Sequence, residues 1–253
     1  MAPQTFAPDQ EWLRSVLPDG IPLGETTLIS GPGGSGKPLI GFSIVDAWLR
    51  AGGSVVVLLT NSDATFVTET MQALYDTDFE EHGDRVVWVD FDPSMDPDVD
   101  AMEFTEEAIR GNLVDPTVWN RALESGLDRA PDTEQGTLVF GSALNLFLFS
   151  PTYGDAMIEE FVDVAAAGGD TTYLFSVSTS AFEDQIGRVE DAADTVLMTR
   201  MEEMTLYLRG ERSASVSISE EEVTVPFTPD QIRRIKSVAE ETRDTIIPTI
   251  KGL

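Results

Sequence analysis

Apolar runs of strand length alternate along this chain with stretches whose apolar residues recur at helical spacing. TTLIS (26–30) predicts a short strand that ends at a glycine-rich stretch. LIGFSIVDAWLRAGG (39–53) carries a helical pattern, stopped by Gly52 and Gly53. SVVVLLT (54–60) is almost continuously apolar and β-branched, as expected of a strand covered on both faces. TFVTETMQALYD (65–76) predicts a second helix and RVVWVDF (85–91) a third strand. Residues 92–136 read as an acidic, proline-rich loop followed by a helix at TVWNRALESGLDRA. TLVFGSALNLFLF (137–149) holds a fourth strand, DAMIEEFVDVAAAGG (155–169) a helix, and TTYLFSVS (171–178) a fifth strand. TVLMTRM, MTLYLRG and ASVSISEEEVTV predict late antiparallel strands. An amphipathic helix over about 228–247 closes the chain.

This order predicts an α/β fold: a mostly parallel sheet flanked by helices, with antiparallel strands and a final helix appended. No repeat or linker divides the chain, so residues 1–253 read as a single domain.

Charge changes the picture. Acidic residues outnumber basic ones 45 to 16, for a net charge of −29, and the only lysines are Lys37, Lys236 and Lys251. The excess is spread along the whole chain, which reads as adaptation to high salt. At low salt such a charge strains the compact state, whereas molar salt screens it to within about 3 Å. The same charge argues against direct nucleic-acid binding. Cysteine is absent, which excludes disulfide and thiol chemistry. His82, the only histidine, lies in the polar run EEHGDR and reads as surface. The four tryptophans, Trp12, Trp48, Trp88 and Trp119, each sit in an apolar pattern and read as core. The N-terminal stretch lacks a basic region followed by an apolar one, and the longest apolar runs are about ten residues, too short to span a bilayer. A cytoplasmic protein without membrane insertion is expected.

Candidate chemistry lies in GPGGSGKP (31–38). With a strand before it and a helix after it, this stretch fits the phosphate-binding loop G-x-x-x-x-G-K-[ST] except at its last position. Gly31, Gly33, Gly34, Ser35, Gly36, Lys37 and Pro38 are therefore the candidate nucleotide-binding residues. The glycines let backbone N–H groups converge on phosphates, the helix N-terminus favours anions, and Lys37 reaches toward the β- and γ-phosphates. Pro38 carries neither the hydroxyl that holds Mg²⁺ in such loops nor a backbone N–H.

IPLGETTLISGPGGSGK (21–37), SVVVLLTNSD (54–63), VEDAADTVLMTRM (189–201) and YLRGERSA (207–214) together resemble KaiC-like ATPases of the RecA superfamily, above all the short haloarchaeal, transducer-like (HTR-like) type. The resemblance covers most of residues 20–215. It implies a RecA-like P-loop core, ATP or a related nucleotide as ligand, Mg²⁺ as cofactor, and a protein partner or homo-oligomer. Departures from the pattern are as informative as matches. Thr60 and Asn61 stand where the family has water-activating glutamates, with Asp63 nearby. Gly141 stands at the Walker B aspartate, followed by the retained Ser142. Tyr207 replaces the lysine of K-x-R-G that reaches a neighbouring subunit's nucleotide, and Arg209 remains. Hydrolysis needs metal and carboxylates, so no catalytic or metal-binding residue is assigned.

Three readings follow: a nucleotide-binding regulatory or signalling module with lost or very weak hydrolysis; an active Mg²⁺-dependent ATPase that uses Asp63 or Asp90; and a scaffold that binds no nucleotide. Arg233, Arg234 and Lys236 form the main basic cluster of the final helix, read as a solvated face or a docking surface.

Overall fold

The computed structural model describes residues 4–95 and 102–253. The chain opens with β1 (Thr5–Phe6), α1 (Glu11–Val16) and β2 (Ile21–Pro22), where β1 and β2 pair as a small antiparallel ribbon. β3 (Thr26–Ser30), α2 (Lys37–Arg50), β4 (Ser54–Leu59), α3 (Ala64–Tyr75), α4 (Phe79–His82) and β5 (Val86–Phe91) follow. A hairpin of β6 (Met102–Phe104) and β7 (Ala108–Gly111) leads to α5 (Pro116–Arg129) and β8 (Thr137–Gly141). A 3₁₀ segment (Leu144–Phe149), α6 (Gly154–Ala165), β9 (Thr171–Ser176) and α7 (Glu183–Ala192) come next. The chain ends with β10 (Thr195–Glu202), β11 (Thr205–Ser213), β12 (Val223–Val225) and α8 (Pro229–Ile250).

Ten strands form one sheet in the order β12-β11-β10-β3-β9-β8-β4-β5-β7-β6. The seven strands from β10 to β7 are parallel to their neighbours, while β6 on one edge and β11–β12 on the other add antiparallel pairs. Strand alternation divides the core between the two faces. Val55, Val57 and Leu59 of β4 point into a cluster with α2 and α3, whereas Val56 and Leu58 point into a cluster with α5 and α6. Each face is covered by helices, which explains the near-continuous apolar run of β4.

The structure corrects several sequence expectations. Thr195–Glu202 is parallel to β3 and antiparallel only to β11, so the late strands are not all antiparallel. It lies between β3 and β11 and joins the loop strand to the antiparallel edge of the sheet. Residues 92–136 contain the β6–β7 hairpin as well as loop and helix. Most of the acidic run DPSMDPDVD lies outside the described residues. Of ASVSISEEEVTV only Val223–Val225 is strand. His82 is half-buried, and its Nδ1 is 2.8 Å from an Arg85 guanidinium nitrogen. Trp48 and Trp119 are fully buried, as expected of core residues.

The VEDAAD segment acquires a structural role. Glu190, in the last turn of α7, accepts from the Ser30 hydroxyl, and Asp194 accepts from the Thr26 N–H at 2.9 Å. These acids hold both ends of β3, the strand that delivers the loop. Arg212 donates to the carbonyls of Asp191 and Ala193 at 3.1 and 2.8 Å, satisfying the open end of α7.

Candidate functional site

The loop leaves β3 at Gly31 and enters α2 at Lys37, so it sits at the carboxyl ends of the parallel strands, the usual place for ligands in such sheets. Gly34 and Gly36 adopt φ of 72° and 74°, a left-handed conformation that glycine takes without strain. With Ser35 between them, the backbone curls into a concave turn of N–H groups. The N–H groups of Gly34 and Gly36 have no acceptor among the described residues, whereas that of Gly33 donates to the Ser180 hydroxyl at 2.8 Å. Pro38 occupies the first turn of α2, where its missing N–H disrupts no helical bond.

Lys37 is folded into its own loop. Its ammonium donates to the carbonyls of Gly31 and Pro32 at 2.9 and 2.7 Å and to the Ser35 hydroxyl at 3.1 Å. Ser35 Oγ in turn lies 2.7 Å from Thr199 Oγ1, which donates to the Ser30 carbonyl at 3.0 Å. Only 6% of Lys37 is exposed, and burial lowers its pKa to about 7. Among the described residues no carboxylate pairs with it, so its charge can answer an anion.

A cavity of about 470 Å³ opens over the loop. That size falls within the roughly 300–1,000 Å³ of small-molecule sites. Its floor is Gly33 to Pro38. Asn61 lines it from the end of β4, Asn145 and Phe149 from the segment after β8, and Ser176, Ser178 and Ser180 from the end of β9. Of the candidate residues, Gly31 alone is absent from the lining. It is buried beneath the loop, where an added Cβ would meet Thr199 at 2.4 Å.

The positions that the sequence resemblance matches to an ATPase's acids hold neutral residues, of which Asn61 lines the cavity. A Cβ added at Gly141 would lie 3.1 Å from Leu144 Cδ2, 3.1 Å from Leu58 Cδ1 and 3.2 Å from Phe175 Cδ1. The position matched to the Walker B aspartate is thus enclosed by hydrocarbon. Beside it, the Thr60 hydroxyl donates to the Ser142 carbonyl and the Ser142 hydroxyl to Asn61 Oδ1 at 3.0 Å. Thr60, Asn61 and Ser142 are all buried. Two hydrogen bonds thus link three neutral residues.

The substitute acids lie elsewhere. Asp63 caps α3, accepting from the Phe66 N–H at 2.7 Å. Asp90 is on β5, four strand positions from β3, or about 19 Å at about 4.8 Å per strand. Burial raises the Asp90 pKa, partly offset by Arg110, whose Nε is 3.6 Å away. Neither acid lines the cavity. Among the described residues, no three of His, Cys, Asp and Glu come together as a metal site. Arg209 is ion-paired with Glu211, and Tyr207 lies under the Arg200 guanidinium at 4.4 Å; neither is among the residues that line the cavity.

α8 supplies the fourth wall, which sequence reasoning missed. Lys236, Glu240, Arg243 and Ile247, spaced i, i+4, i+7 and i+11, all line the cavity. The expected basic cluster is divided: Arg233 pairs with Asp230, Arg234 with Glu69, and Lys236 lies over the loop.

The architecture, a mostly parallel sheet flanked by helices with antiparallel strands at its C-terminal edge, matches a KaiC-like RecA fold. The chain is similar to the solved KaiC-like protein PH0186 from the hyperthermophilic archaeon Pyrococcus horikoshii OT3, with a TM-score of 0.62 and 16% sequence identity over 90% of this chain and 97% of that one. No protein-family model matches the sequence. No curated protein matches it either. At this identity the likeness establishes the fold, and chemistry must be argued from the residues. No helix among the described residues is long and apolar enough to cross a membrane.

Proposed function

We propose that this chain is a nucleotide-binding regulatory module in which the phosphate loop is kept and the hydrolytic wall is lost. The observation that carries this reading is the contrast at Gly141, where Leu58, Leu144 and Phe175 occupy the carboxylate's surroundings beside a loop with free N–H donors and a poised lysine. The residues present do not fit a protein-anchored Mg²⁺. Pro38 offers no hydroxyl, and an aspartate at position 141 would have to displace apolar side chains. The ligand is ATP or a related nucleotide, held by the Gly34 and Gly36 N–H groups, the helix N-terminus and the Lys37 ammonium. Its bound state is read by a protein partner or a second copy of this chain.

The active-ATPase reading requires Asp63 or Asp90 at the phosphates, and Asp63 is engaged as a helix cap while Asp90 is ion-paired on a distant strand. The scaffold reading lets Lys37 tie the loop together through its three hydrogen bonds but leaves its buried charge unpaired with any carboxylate among the described residues. The test is nucleotide binding and phosphate release side by side in molar KCl, conditions that suit the −29 charge. The proposal expects binding with turnover far below about 1 s⁻¹, the low end of ordinary enzyme rates. Turnover at or above that rate, abolished by Lys37→Ala, would overturn it.

A further inference from the structure

α8 passes over the carboxyl edge of the sheet from one face to the other. Ile232 and Ile235 near its start are buried in the cluster that contains α2, whereas Ile250 at its end is buried in the cluster on the opposite face. Ile246 and Ile247 pack against that second cluster. Thr228 and Gln231 close the helix N-terminus with a reciprocal capping box. At the other end the Thr152 hydroxyl donates to the Leu253 carbonyl at 2.6 Å, and the Lys251 ammonium lies 5.3 Å from the Phe149 ring centre. The helix is therefore fixed at both ends, with its middle suspended above the loop.

That middle carries Lys236. Its Cε would lie 3.0 Å, and its Nζ 3.5 Å, from a Cβ added at Gly34, so the ammonium is already at the loop. Lys236 forms no hydrogen bond or ion pair with any described residue, in a chain with 45 acidic side chains. Two of the three lysines of the protein thus line one cavity, one below the phosphate position and one above it. Arg243 stands two turns further along the same stripe at the exposed outer end of the cavity, and Glu240 between them is the only acidic residue of the lining.

Building on the nucleotide-binding reading, we propose that Lys236 is a second phosphate ligand delivered in cis by the C-terminal helix. It supplies, as a side-chain cation, charge neutralisation at a loop where the described residues offer no metal anchor. The ligand class is a nucleoside di- or triphosphate, whose β- and γ-phosphates lie between the Lys37 and Lys236 ammonium groups. Glu240 opposes this attraction and limits its strength.

The experiment is calorimetric titration of ATP in EDTA and molar KCl with the full chain and four variants. Lys236→Met keeps the aliphatic stem and removes the charge, Lys236→Arg keeps the charge, Glu240→Gln removes the opposing acid, and Lys37→Ala reports on the loop itself. Lys236→Met is expected to weaken ATP about tenfold or more, in line with a lost bond to a charged group. Lys236→Arg should retain most of the affinity, Glu240→Gln should tighten binding, and melting temperatures without ATP should match wild type. Wild-type affinity in Lys236→Met, with binding still lost in Lys37→Ala, would overturn the role of Lys236 and leave the nucleotide reading intact. Absence of ATP binding by the unmodified chain would overturn the nucleotide reading itself.

Discussion

The two sides of the cavity have been treated differently. On the β3 side, the loop keeps its left-handed glycines, two free N–H donors and a lysine that no carboxylate neutralises. On the β4–β8 side, Thr60, Asn61 and Ser142 are neutral residues linked by hydrogen bonds, and Gly141 packs against Leu58, Leu144 and Phe175. A side chain at position 141 would press on Leu58, Leu144 and Phe175, whose nearest atoms lie 3.1–3.2 Å from an added Cβ. Binding a phosphate requires only directed N–H groups and positive charge. Transferring one also requires groups that hold metal and orient water. The first set can survive the loss of the second.

The sharpest way to break this comparison is Gly141→Asp. The new side chain would press its Cβ against three apolar side chains, Leu58, Leu144 and Phe175. It should destabilise the fold by about 3 kcal/mol or more, as uncompensated buried charges do, and should leave turnover unchanged. Denaturant unfolding and a phosphate-release assay check both parts. An unimpaired fold with new Mg²⁺-dependent hydrolysis would show that the wall can still act.

A second effect comes from Lys37, whose burial lowers its pKa to about 7. The unfolded lysine keeps its proton to about pH 10.4, so between pH 7 and pH 9 the unfolded state binds more protons and stability rises with pH. Phosphates favour the charged lysine, so nucleotide affinity should fall over the same window, by at most about tenfold per pH unit, well above the phosphate's own titration near about pH 6. Melting temperature and affinity should therefore move in opposite directions, and Lys37→Met should flatten both trends. Parallel trends in the wild type would contradict the burial argument.

The smallest expected effect is at Asp63. Asp63→Ala removes the cap of α3 and should cost about 1 kcal/mol of stability while leaving nucleotide affinity within error. A large loss of affinity would bring Asp63 into the site and revive the ATPase reading.

The loop and the parallel strands were legible because their signals are local. Glycine spacing, a lysine in a lysine-poor chain and continuous β-branched runs each specify a conformation within a few residues. The neutral residues at positions 60, 61 and 141 were legible, but the packing around Gly141 was not, since it depends on Leu58 and Phe175 meeting it from the neighbouring strands. α7 escaped notice because FEDQIGRVEDA is mostly polar and buries only Ile186 and Val189. The final helix was legible as a helix, yet its place above the loop was not. Amphipathic spacing says that one face is buried, not which edge of the sheet it crosses. Hence Arg233, Arg234 and Lys236 read as one basic cluster, although surface ion pairs hold the two arginines and the lysine turns to the cavity.

The central claim is that phosphates are held by loop and lysine without a metal anchored by the protein. Its most direct test is calorimetric titration of ATP into wild type and Lys37→Ala, each with Mg²⁺ and with EDTA. EDTA should weaken wild-type binding only several-fold, because Mg²⁺ still moderates repulsion between the nucleotide and an acidic protein. Lys37→Ala should weaken it by about 2–3 kcal/mol in either condition. Binding abolished by EDTA and indifferent to Lys37→Ala would mean that a carboxylate such as Asp90 holds the metal, and would contradict the account.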